Sequence, residues 1–173
     1  QQQPVGPAIN LIEVPTEDRI RSGIEHRLHE LHRSLLSGDV PRAKNGRVTV
    51  SILGRYNADS QYIAPHWAAL FQGTMRIDFK TVHASKGLEA DYIILPRVVR
   101  GSYGFPSGIE DDPVLRLAMP SGDDFPHAEE RRLFYVALTR ARRNVSIVTV
   151  AHYQSEFITE LMKDLNIQPT TVD

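Results

Sequence analysis

Two short runs leave almost no polar face. Arg47–Leu53 (RVTVSIL) becomes nearly apolar in its second half, and Val145–Ala151 (VSIVTVA) is dense in β-branched residues along its whole length. Runs of this kind suit strands buried on both faces, the condition met in a parallel sheet whose crossover helices cover each side. The rest of the chain supplies the other layers. AINLIEVP (8–15), closed by Pro15, MRIDFKTV (75–82) and DYIILP (91–96) read as further strands. Between them, Thr16 is placed to cap a helix whose first turn holds Glu17 and Asp18. Ile20, Ile24, Leu28, Leu31 and Leu35 fall on one face of that helix, and Gly38 is placed to end it. Helices are also predicted over Gln61–Phe71, from Pro126 through the arginine-rich run, and over Glu156–Leu165.

Strands alternating with helices predict an α/β layered domain with a mainly parallel sheet over residues 8–166. Residues 1–7 are expected as a disordered N-terminal segment and 167–173 as a C-terminal tail. Residues 97–127 form a Gly/Pro-rich insertion with room for one short helix around Val114–Leu117. Ligands in such sheets sit beyond the carboxyl ends of the strands, which directs attention to the loops after residues 53, 82 and 96 and to the helix feeding strand 145.

Composition narrows the chemistry. The 173 residues fit one well-cored domain, and the absence of cysteine excludes disulfides and Cys-ligated metals. A net charge of −1 means that any phosphate-binding surface is a local cluster rather than a basic body. No apolar run approaches a membrane span, and QQQPVGPAIN lacks the basic start and apolar centre of a signal peptide. The expectation is a soluble cytoplasmic protein without membrane association.

Three segments carry candidate chemistry. In LGRYNAD (53–59), Arg55 stands at the mouth of the sheet, with Asn57, Asp59 and Ser60 as possible caps; a plain surface arginine at a strand exit has the same appearance. In TVHASKGLEAD (81–91), Thr81, His83 and Ser85 supply donors, Lys86 a point charge, Gly87 a flexible amide and Glu89 an acceptor for ribose hydroxyls. Glycine after Ser-Lys permits close backbone approach to a phosphate, although G-x-x-x-x-G-K-[ST] occurs nowhere in the chain. In AEERRLFYVALTRARRNV (128–145), Leu133, Val136, Ala137 and Ala141 form an apolar stripe, while Glu129 and Glu130 sit at the positive end of the helix. Arg131 and Arg132 suit pairing with nearby carboxylates, and Arg142 and Arg143 are expected in the last turn and its exit. Arg140 is open between a helix C-terminal cation and a phosphate-binding arginine.

In this order the segments resemble motifs IV, V and VI of the UvrD/Rep-type superfamily 1 DNA helicases. LGRYNADS resembles motif IV, TVHASKGLEAD motif V and EERRLFYVALTRAR motif VI, and the GFP at 104–106 adds to the likeness. The resemblance covers roughly residues 48–151. It implies a three-layer RecA-like (P-loop NTPase-type) domain, the second of two such motor domains, with no Walker A sequence of its own. It implies that Arg55 reaches the γ-phosphate of ATP across the domain cleft and that Arg140 is the arginine finger, a role worth on the order of 10³ to 10⁵ in rate. Glu89, with Gly87 beside it, would hold the nucleotide's ribose. Thr81 and His83 would grip the phosphates of single-stranded DNA, with Ser85 and Lys86 in the same DNA-binding segment.

Some positions depart from the family pattern. Ala90 and Asp91 follow Glu89 where an aromatic is usual, Gln61 and Tyr62 stand where an arginine often follows, and Tyr135 matches an aromatic to which no role is assigned. Only about ten residues separate the predicted 61–71 helix from motif V, too few for an inserted accessory domain. The implied cofactor is ATP with Mg²⁺, whose ligands belong to the first RecA-like domain together with the Walker A lysine and the water-activating glutamate. The implied partners are single-stranded DNA and that first domain of the same polypeptide. The expected activity is an ATP-dependent DNA helicase in the full-length protein, with this chain inactive alone. Two alternatives are the helicase portion of a recombination helicase–nuclease and a non-catalytic RecA-like interaction module. Two arginines facing one cleft speak against the latter.

Overall fold

The computed structural model describes residues 8–108 and 127–173. The segment 1–7, Pro126 and the helix expected around Val114–Leu117 lie outside them. Strands β1 (Ala8–Val14), β2 (Val48–Gly54), β3 (Met75–Thr81), β4 (Ala90–Leu95), β5 (Ala141–Val150) and β6 (Thr170–Thr171) form one sheet in the order β3-β2-β4-β5-β1-β6. All pairings between these strands are parallel. The register places Leu11 and Leu95 on either side of Ile147, so these three apolar side chains form one row on the same face of the sheet.

Alternation along these strands sends side chains to two separate cores. Ile12, Val14, Val50, Ile52, Ile94, Val148 and Val150 meet α1 (Ile20–Ser37), which buries Ile20, Ile24, Leu28, Leu31 and Leu35. Leu11, Leu53, Ile93, Leu95, Val145 and Ile147 meet α3 (Ala128–Leu138) and α4 (Glu156–Leu165) on the opposite face. The result is the α/β layered domain with a parallel sheet expected from the apolar runs, in the three layers that the resemblance implies. Each large side chain so buried contributes about 1.5–3 kcal/mol, before the chain entropy that opposes it.

Four boundaries differ from expectation. The first helix begins at Ile20, after a 3-10 turn at Glu17–Arg19; the Thr16 hydroxyl bonds Asp18 and caps no backbone N–H, while Gly38 ends the helix at φ 84° as expected. The helix predicted over Gln61–Phe71 is absent. A 3-10 turn (Asn57–Tyr62) and the four-residue α2 (Trp67–Leu70) stand on either side of Pro65, which lacks an N–H and drives the preceding residue out of helical geometry. Trp67 anchors the segment instead, 1% exposed, with its indole N–H donating to Glu25 at 3.1 Å. β5 starts at Ala141, so Arg142 and Arg143 belong to a strand rather than to a last helical turn. The expected tail supplies β6, and the N–H of Val172 donates to the Glu13 carbonyl at 2.9 Å. That bond extends the sheet by backbone pairing, which has no side-chain signature in so short a strand.

Candidate functional site

The chain leaves β2 through Gly54. A Cβ there would lie 2.7 Å from Cβ of Asp59 and 2.9 Å from the Phe79 ring, so only glycine fits this exit. Arg55 follows, and it does not point freely into solvent. Its Nε donates to both carboxylate oxygens of Glu130 at 3.1 and 3.0 Å, and its Nη2 donates to Oε1 at 2.6 Å. The side chains are 18% and 13% exposed, a half-buried two-point pair of the strong type. Glu130 also accepts the backbone N–H of Ser107 at 2.9 Å. Burial pushes the Glu130 carboxyl up, but the Arg55 bonds, the Ser107 N–H and the nearby positive charges outweigh it and leave it below the ordinary glutamate range. The same hydrogen bonds raise Arg55. The guanidinium also stacks over the Tyr56 ring at 4.9 Å, and the Tyr56 hydroxyl donates to Ser107 Oγ at 2.5 Å. Nη1 of Arg55 has no hydrogen-bond partner among the described residues.

The 81–91 segment crosses back over the sheet from the end of β3 to the start of β4. Val82 and Ser85 are buried in a short 3-10 turn (His83–Ser85), while His83, Lys86, Leu88 and Glu89 are exposed. Thr81 uses its hydroxyl to accept the Ala84 N–H at 3.3 Å. Ser85 was expected as a DNA contact. It is instead 2% exposed, with its hydroxyl donating to the Val82 carbonyl at 2.6 Å, and it serves the turn. Gly87 takes φ 77°, the left-handed conformation that favours glycine.

Arg140 stands in the turn between α3 and β5. Its Nε donates to the Val136 carbonyl at 3.2 Å, Nη2 to the Thr139 hydroxyl at 3.2 Å and Nη1 to the Leu88 carbonyl at 3.5 Å. Its own carbonyl accepts the Ala90 N–H at 2.9 Å, tying the turn to the 81–91 segment. Neutral oxygens therefore aim the guanidinium, and among the described residues no carboxylate lies within ion-pair distance of it. Arg140 and Glu89 line one small cleft together with Lys80, Ser85, Leu88 and Ile93. Arg142 pairs with Glu89 at 3.3 Å, and Arg142 and Arg143 both approach Asp91, at 3.7 and 3.8 Å.

The structure thus brings Arg140 and Glu89 together, does not place Gly87 in the lining of their cleft, and leaves His83 and Lys86 exposed on the same segment. Arg55 is held apart. Its partner Glu130 and the Val136 carbonyl that holds Arg140 are six residues apart on α3, a rise of about 9 Å. The sequence presents Glu130 as a helix-end charge and Arg142 as a helix-exit cation, and it does not single out Ser107. Glu130 carried a signal: it lies four and seven residues before the buried Phe134 and Ala137, a carboxylate on the apolar face of its helix.

Residues 68–152 match the UvrD-like helicase C-terminal domain, a span running from α2 through β5 and containing both Glu89 and Arg140. The chain carries a UvrD-like helicase C-terminal domain. It is 41% identical over 122 residues to DNA helicase IV of Escherichia coli (strain K12), an alignment covering 68% of this chain and 17% of that protein. It is 28% identical over 106 residues to a probable DNA helicase II homolog of Rickettsia conorii, covering 56% of this chain and 15% of that one. In both cases the aligned stretch is a small share of a much longer protein. A crystal structure of the C-terminal domain of a possible DNA helicase from Lactobacillus plantarum WCFS1 shares the fold, with a TM-score of 0.54 at 15% identity over 97% of this chain and 87% of that one. Arg55 lies outside the residues matched to the family, while Gly87, Glu89 and Arg140 lie within them.

Proposed function

We propose that this chain is the second RecA-like motor domain of an ATP-dependent DNA helicase, acting with a first RecA-like domain of the same polypeptide. The observation that carries the reading is Arg140: a cation fixed by three neutral oxygens, with no carboxylate within ion-pair distance among the described residues, in the same cleft as the exposed Glu89. A guanidinium in a cleft without a direct ion-pair partner suits a polyanion arriving from outside, and the phosphates of ATP fit that chemistry. Glu89 would meet the ribose hydroxyls, with Arg142 fixing its orientation, and Gly87 would leave the backbone open beside it. Arg55 would address the same nucleotide through Nη1. Mg²⁺ would be coordinated by the first domain and by the phosphates. His83, Lys86 and Thr81 would contact the backbone of single-stranded DNA at the carboxyl end of β3. Closure of the two domains on ATP, and their release after hydrolysis, would step these contacts along the strand.

The test is Arg140→Ala in the complete polypeptide. Turnover of ATP is expected to fall by about 10³-fold or more, while ATP binding stays nearly unchanged. A loss of binding in proportion to the loss of turnover, or robust DNA-stimulated hydrolysis by this chain in isolation, would sink the reading.

A further inference from the structure

We propose that Glu130 is a positioning residue that aims Arg55 at the nucleotide, a role that rests on the reading of Arg55 as a phosphate contact. A guanidinium has two working edges. Glu130 occupies the Nε/Nη2 edge with three hydrogen bonds, and that leaves Nη1 as the end with open donors. Planarity then fixes where those donors point, and an otherwise mobile side chain is held in one direction before any ligand arrives.

Glu130 is itself held. It sits on the buried face of α3, and its second oxygen accepts the Ser107 N–H. Ser107 follows Phe105 and Pro106, and Phe105 is 2% exposed and edge-on to Phe134 of α3 and Phe157 of α4. The Tyr56 ring closes the arrangement from the other side, lying under the guanidinium and bonding Ser107 through its hydroxyl. Three chain segments, 55–56, 105–107 and α3, therefore meet around the Arg55–Glu130 pair. A carboxylate this firmly tethered is unsuited to act as a lock that swings away, and Nη1 is available without breaking the pair. The same helix carries Arg140 just past its other end, so α3 sets the spacing of the two cations as a rigid rod.

Steady-state ATP hydrolysis by the complete polypeptide with single-stranded DNA separates the possibilities, using Glu130→Gln, Arg55→Ala, their double variant and Arg55→Lys. Glu130→Gln, which keeps the shape and removes the charge, is expected to lower kcat about tenfold or more with KM for ATP within about twofold. On the Arg55→Ala background the same change should cost nothing further, because its only route to the reaction has gone. Arg55→Lys keeps a cation near Glu130 but has no second edge, and should lose kcat while melting close to the parent. The proposal is overturned if Glu130→Gln leaves kcat unchanged, if it lowers KM as the release of a competing carboxylate would, if its cost is the same with and without Arg55, or if Arg55→Lys is fully active. Should Arg140→Ala still abolish turnover in that case, the motor reading stands and only the role of Glu130 falls. Should Arg140→Ala also leave turnover intact, the motor reading has failed with it.

Discussion

Replacing Phe105 by alanine is expected to destabilise the domain by about 3–5 kcal/mol. The ring is 2% exposed and packs edge-on against Phe134 (5.3 Å between centroids, 86°) and Phe157 (5.9 Å, 66°). Loss of its burial alone costs about 2–3 kcal/mol, and each aromatic contact adds about 0.5–1.5 kcal/mol beyond area. The Phe105 N–H is bonded to the Val99 carbonyl at 2.8 Å, and a Cβ at neighbouring Gly104 would already stand 2.1 Å from that same oxygen. Urea unfolding followed by circular dichroism measures the effect. With a slope of about 2 kcal/mol/M, the midpoint should fall by about 2 M at unchanged slope. A fall below about 0.5 M would mean that the 101–108 loop peels off without disturbing the core. Ser107 could then transmit nothing from that loop to Glu130.

Two further outcomes concern stability near the same site. Gly54→Ala should cost about 1–3 kcal/mol, because the new methyl meets Cβ of Asp59 and the Phe79 ring at contact-violating distances; a melting temperature within 1–2 °C of the parent, where roughly 2–4 °C per kcal/mol is expected, would show that the β2 exit is slack. Glu130 has a depressed folded-state pKa, so its contribution to stability is complete above the ordinary glutamate value of about 4.3 and is lost as pH falls through the lower folded value. Glu130→Gln should therefore melt below the parent at pH 7, with the gap narrowing on acidification below about pH 4. A gap constant from pH 7 to pH 3 would contradict the pairing.

Much of the architecture was legible because burial on both faces writes itself into single strands. VSIVTVA and the second half of RVTVSIL have no soluble side, and the helix with Ile20, Ile24, Leu28, Leu31 and Leu35 shows its stripe plainly. Where local signals conflicted, the reading failed. The apolar content of 61–71 suggested a helix that Pro65 forbids, and the stripe on α3 ran on through Ala141 although the chain had already turned at Thr139 and Arg140. Arg140 and Glu89 could be singled out as residues, but their sharing a cleft depends on the Ala90–Arg140 backbone bond, which no side-chain pattern announces. The Arg55–Glu130 pair is further from view still. Its members are 75 positions apart, and either alone passes for a surface charge.

The placement of β1 bears on how the domain comes into being. Its sheet neighbours are β5 and β6, and the cross-strand bond from Asn144 to Asn10 spans 134 positions. A ribosome adding about 5–20 residues per second delivers that partner roughly 7–27 seconds after Asn10 has emerged. Through that interval α1 has only half its bed, since Val148 and Val150, which help line it, are not yet made. The newborn chain therefore carries the apolar stripe of α1 with no finished surface to bury it. Chaperones that bind exposed apolar helices have their opening in that window, well before either arginine has anything to face.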